Sequence, residues 1–150
     1  MRRLILLSCL FFFFLTCTDE FKNPVPSWRV YLEVDIERRD KTLIPFLSYK
    51  IFNSKNTVPG KEYTGYGGVI VTHTTFGEYK AFDITCPNEA RKDAIIDIDE
   101  ENNAVCKVCG SKFEVMAVYG SGGCINGKTK YPLRPYSISF KDNNTLIVRN

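Results

Sequence analysis

The chain has 150 residues, enough for one domain, and its 44% hydrophobic and 25% charged residues are ordinary globular proportions that exclude intrinsic disorder. Its formal net charge is +3, but Arg2 and Arg3 lie in a leader expected to be removed; the 18 basic and 17 acidic side chains that remain give no electrostatic basis for binding nucleic acid. With one histidine, His73, any mechanism that needs a pair of them is excluded.

The chain opens on Arg2-Arg3 and an apolar run, Leu4 to Leu15, broken by Ser8 alone. At about twelve residues the run falls short of the roughly 20 that a membrane-spanning helix needs, and it fits the apolar core of a signal peptide. Thr16-Cys17 follows directly, and then the chain turns polar at Thr18-Asp19-Glu20. A small residue and a cysteine at the end of such a run resemble a bacterial lipoprotein signal, although Phe14 stands where that family usually has leucine. The resemblance implies that Cys17 is acylated and becomes the new N-terminus, anchoring the chain to a membrane in the cell envelope. More than one acyl chain is needed for a stable anchor, at about 0.8 kcal/mol per buried CH₂. The other reading is an ordinary signal peptide cut nearby, which leaves Cys17 a plain thiol.

Residues 18–27, with two prolines and several polar residues, read as a tether. From Trp28 the pattern is that of strands. In residues 28–37 Val30, Leu32, Val34 and Ile36 alternate with Arg29, Glu33, Asp35 and Glu37, the period of a half-buried strand. Further strands are predicted at 43–52, 67–75, 79–85, 94–99, 104–108, 112–119, 136–140 and 145–149, separated by turn signals such as Pro59-Gly60, Gly77, Glu101-Asn102-Asn103 and Asp142-Asn143-Asn144. Short strands at this spacing predict an all-β sandwich or barrel. His73 is expected to face solvent among polar, β-branched neighbours, Trp28 to anchor the edge of the core, and the acidic run Asp97 to Glu101 to be a solvated hairpin tip. The glycine pairs are not phosphate loops, because no helix pattern follows them.

Of six cysteines, Cys9 leaves with the leader and Cys17 is expected to carry lipid. Cys86, Cys106, Cys109 and Cys124 remain, each in or beside a turn-rich stretch. Cys106-Lys107-Val108-Cys109 is a C-x-x-C turn, which can bring two thiolates to one metal, form a redox pair, or hold two inert thiols. Around it stand Thr85-Cys86-Pro87, then Cys109-Gly110-Ser111-Lys112-Phe113, a glycine-rich loop at 120–127, and Leu133-Arg134-Pro135-Tyr136. This order resembles the Rieske [2Fe–2S] domain over residues 28–150, and is most similar to exported Rieske-like lipoproteins of Bacteroidetes type. The resemblance implies an all-β Rieske-like sandwich or barrel with a small inserted cluster-type subdomain, about 84–126, and a role in electron transfer with an unidentified protein partner.

A Rieske cluster takes two cysteines on one iron and two histidines on the other. Here the two histidine positions read Asn88 and Cys109. Three readings therefore stand. In the first, a [2Fe–2S] cluster is bound by Cys86, Cys106 and Cys109 with Cys124, or less readily Asn88, as fourth ligand; thiolates in place of imidazoles would draw its potential from about −150 to +300 mV toward about −400 mV. In the second, the same thiolates hold a structural zinc. In the third, the site is degenerate and the domain is a binding or structural module. None makes the chain an enzyme by itself.

Overall fold

The computed structural model describes residues 22–117 and 119–150, so the leader and Cys17 lie outside the described residues. The chain is all-β, as the alternation predicts. Among the described residues eleven strands follow in order: β1 (Val30–Asp35), β2 (Ser48–Phe52), β3 (Tyr63–Thr64), β4 (Val69–His73), β5 (Tyr79–Asp83), β6 (Ile96–Ile98), β7 (Asn103–Cys106), β8 (Lys112–Glu114), β9 (Cys124–Asn126), β10 (Pro135–Phe140) and β11 (Thr145–Arg149). Seven form one antiparallel sheet in the order β2-β4-β5-β10-β11-β1-β3, and β6-β7-β8-β9 form a second, inserted between β5 and β10. Among the described residues no helix is long and apolar enough to cross a membrane.

The alternation in β1 sets the larger sheet's inner face. Val30, Leu32 and Val34 are buried and meet Val69 and Val71 of β4, Ala81 of β5, Tyr136 of β10, and Leu146 and Val148 of β11 in one cluster. Strands from both ends of the sheet reach the same cluster, so the sheet curls on itself, as a half-buried antiparallel sheet does when it closes a core. The outer face of β4 and β5 is covered too. Ile70, Phe82 and Ile84 pack there against Ile96, Ala104, Cys106 and Phe113 of the smaller sheet and against Val115, Met116 and Leu133.

Burial on both faces makes β4 the one strand in which every residue is buried, and it corrects the expectation for His73. His73 shares its parity with Val69 and Val71, is only 6% exposed, and stacks on Tyr79 at 4.3 Å. Its Nδ1 lies 3.1 Å from the carbonyls of both Ile44 and Pro45, so this nitrogen carries the hydrogen. Trp28 is likewise not a core anchor. It is 49% exposed, edge-on to Tyr66, with the Lys92 ammonium 3.8 Å from its ring centroid.

Most of the predicted strands are shortened, 43–52 and 112–119 the most. The first residues of 43–52 are taken by a 3₁₀ turn at Lys41–Leu43 and an irregular stretch before β2. The stretch 112–119 leaves the sheet at Glu114, and beyond it Val115 and Met116 are both buried. The Glu114 carboxylate then accepts the N–H groups of Gly120 and Ser121, each at 2.9 Å, and folds the loop back. Residues 23–25 of the predicted tether have no regular structure but are docked: Val25 is buried, and the Arg134 guanidinium donates to its carbonyl. The acidic run does form the tip between β6 and β7, with Asp99 and Glu101 paired to Lys112.

Candidate metal centre

Two turns carry the cysteines. The first leaves β5 and is anchored on both sides: the Cys86 N–H donates to the Ala94 carbonyl at 2.8 Å, and the Ile96 N–H to the Ile84 carbonyl at 2.8 Å. The second joins β7 to β8, where the Cys106 N–H donates to the Ser111 carbonyl at 3.0 Å. Gly110 closes this turn with a left-handed backbone, φ 73°, which explains the glycine after Cys109.

These anchors bring Cys86, Cys106 and Cys109 together. Their three Sγ atoms lie within 4.8 Å of one another, with Cys86 and Cys109 3.6 Å apart, and none is in a disulfide. Cys86 and Cys106 are fully buried against the apolar cluster, whereas Cys109 is half-buried at its rim. Cys124 lies on β9 opposite Phe113 and is not in the group. Asn88 is exposed, its side-chain amide donating to Glu89 at 3.0 Å. Of the residues singled out in the sequence, the fold thus joins three cysteines and leaves Cys124 and Asn88 outside.

The surroundings treat the thiols differently. Burial pushes the Cys86 thiol up to about 12, and outweighs the hydrogen bonds from the N–H groups of Asn88 and Glu89 that act to lower it. For Cys109 burial also acts to raise the value, but the Ser111 hydroxyl and N–H, together with the neighbouring thiols, outweigh it and hold Cys109 below the ordinary thiol range. As a thiol, Cys109 donates to Ser111 Oγ at 3.2 Å; as a thiolate it accepts from the same hydroxyl. Ser111 is itself fully buried, which accounts for the serine of the Gly-Ser-x-aromatic stretch, and Phe113 of the same stretch fills the cluster behind the cysteines. The chemistry available is that of three convergent sulfur donors, one of them ionised more readily than a free thiol.

The Rieske resemblance implies a two-iron cluster. Such a cluster divides four ligands between two irons. Three mutually adjacent sulfurs and no fourth in the group do not supply that arrangement, whereas a tetrahedral ion at about 2.3 Å from each sulfur sets its ligands about 3.8 Å apart. No family model matches the chain, and no curated protein matches it. Among solved structures, one described as an NADH-dependent nitrite reductase small subunit from Mycobacterium tuberculosis is 12% identical, with 82% of this chain and 96% of that chain covered and a TM-score of 0.45, a likeness too distant to bear on ligand or activity.

Proposed function

We propose that the protein is a lipid-anchored cell-envelope protein whose Rieske-like β domain holds one metal ion on Cys86, Cys106 and Cys109, zinc being the ion this donor set suits best. The observation that carries the proposal is the mutual approach of three sulfurs within 4.8 Å. The ion would tie the turn after β5 to the turn between β7 and β8, a structural role in place of electron transfer through a cluster. Residues 23–25 dock against Pro132 and Arg134, and Pro24 lines a groove with Asn88 and Lys130. A lipid on Cys17 would therefore hold the domain with its first metal turn on the side where the tether leaves it.

Protein purified without air is expected to contain one zinc per chain, no inorganic sulfide and no visible colour. Iron with matching sulfide and a brown colour would restore the two-iron electron carrier, and metal-free protein with every thiol reactive would remove both metal readings. For the anchor, Cys17→Ser is expected to move the protein from the membrane fraction to the soluble one. Retention of that variant in the membrane would mean that the chain is held by something other than lipid.

A further inference from the structure

Three thiolates leave one vertex of a tetrahedron to be filled, and the two cysteine turns are built alike. In the first, the Ala90 N–H donates to the Cys86 carbonyl at 2.8 Å and Ala90 has φ 50°; in the second, the Gly110 N–H donates to the Cys106 carbonyl at 2.8 Å and Gly110 has φ 73°. Alanine in a left-handed backbone is uncommon and costs energy, so the first turn holds this shape without the residue that suits it. Matched residue by residue, Cys86 corresponds to Cys106, Asn88 to Val108, and Glu89 to Cys109. Exposure agrees at the third position, where Asn88 and Val108 are both exposed, and differs at the second, where Pro87 is buried and Lys107 exposed. In a turn closed from the fifth residue to the first, side chains at the first and fourth positions lie on one side, which is how Cys106 and Cys109 both reach the centre.

We infer that Glu89, the fourth residue of the first turn, is the fourth metal ligand and closes a site of three thiolates and one carboxylate. The inference rests on the metal reading proposed above. A carboxylate oxygen is an ordinary zinc donor at about 2.0–2.2 Å. Around Cys86 the backbone N–H groups of Asn88 and Glu89 face the sulfur, while the Glu89 carboxylate lies outside the group of three sulfurs and reaches the ion by a change of side-chain rotamer. Its present holds are weak: the exposed Asn88 amide at 3.0 Å and Arg91 Nε at 3.8 Å. Arg91 stays close enough to offset part of the negative charge that the carboxylate adds to three thiolates. Asn88 occupies the outward position of the turn, and Cys124 sits on the edge strand of the small sheet, two strands from Cys106.

Cobalt(II) titration of the detergent-solubilised protein tests this, with zinc competition for affinity. Glu89→Gln is expected to bind cobalt about tenfold or more weakly and to shift the visible bands of the tetrahedral ion, while Cys124→Ser binds as the unaltered protein does. Glu89→Cys is expected to raise the sulfur-to-cobalt charge-transfer absorption by about a third, as three thiolates become four, and the introduced thiol becomes unreactive to a thiol reagent once metal is bound. If Glu89→Gln keeps full affinity and an unchanged spectrum, and the introduced thiol stays reactive, Glu89 is not a ligand although the three-thiolate site stands. If the unaltered protein binds no cobalt through its thiols, the metal reading itself fails.

Discussion

Cys106→Ala is expected to abolish the gain in thermal stability that added zinc gives the unaltered protein. An ion that binds only the folded chain stabilises it by about 2.7 kcal/mol when its free concentration is a hundred times its dissociation constant. For a domain of this size that is a rise of roughly 10 °C in Tm. Cys106 is fully buried beside Ile96, Ala104 and Phe113, so alanine is the informative replacement; serine would add a hydroxyl to an apolar cluster and destabilise for a second reason. Loss of the sulfur leaves a small cavity that costs on the order of 1 kcal/mol with or without metal, and the zinc-dependent part can be read above that offset. Cys109→Ala makes a cleaner companion, because Cys109 is half-buried and its removal costs little packing. Both variants should show flat Tm against zinc concentration. A Tm that still climbs in either variant would place the stabilising ion elsewhere in the molecule.

The sequence announces this site because its elements are local. Cys106 and Cys109 share one turn, Gly110 ends it, Ser111 meets the sulfur two residues back, and Phe113 returns to the core. The alternation of Val30, Leu32 and Val34 is equally local, and it is enough to predict a closed all-β core. What escapes the sequence depends on partners far along the chain. His73 looks solvent-facing in the sequence, but it donates to carbonyls at 44 and 45, and the hydroxyl of its neighbour Thr72 donates to the Val115 carbonyl. Polar side chains of this kind are read as exposed only because their satisfying groups are not neighbours in sequence. Cys124 stands outside the group of three sulfurs for a related reason: the register of β8 on β9 shifts between Lys112 and Phe113, and no residue pattern in 124–126 foretells it. Glu89 carries no signal in the sequence alone. Its position gains meaning once the turn after Cys86 is seen to repeat the turn after Cys106.

Tyr136→Phe is expected to destabilise the fold by about 2 kcal/mol, a fall of roughly 8 °C in Tm, with zinc affinity changed less than threefold, a shift of about 0.7 kcal/mol at most. Tyr136 is the aromatic residue of the Leu-Arg-Pro-Tyr stretch, and its hydroxyl donates to Asp83 Oδ2 at 2.7 Å. Asp83 is fully buried at the end of β5, and its carboxylate also accepts the N–H groups of Tyr66, Gly67 and Thr85. Burial, with the neighbouring carboxylate, holds the phenol well above its usual range, so it remains a donor at every pH at which the fold is studied. Two glycines make room for the knot: a Cβ on Gly65 would stand 2.5 Å from the Tyr136 hydroxyl, and one on Gly67 2.1 Å from Thr85 Oγ1. Phenylalanine keeps the ring in the barrel core but removes the strongest donor to a buried carboxylate. The remaining bonds to Oδ2, at 3.1 and 3.4 Å, are longer than the one lost, and both are already made in the unaltered protein. The first cysteine turn is insulated from this loss, because Cys86 and Ile96 keep their own backbone bonds to Ala94 and Ile84. The two residues act as a unit, so Asp83→Ala combined with Tyr136→Phe should cost less than the sum of the single changes. Additive costs in that cycle would mean that the phenol and the carboxylate stabilise the barrel separately, and that the knot is only a close contact.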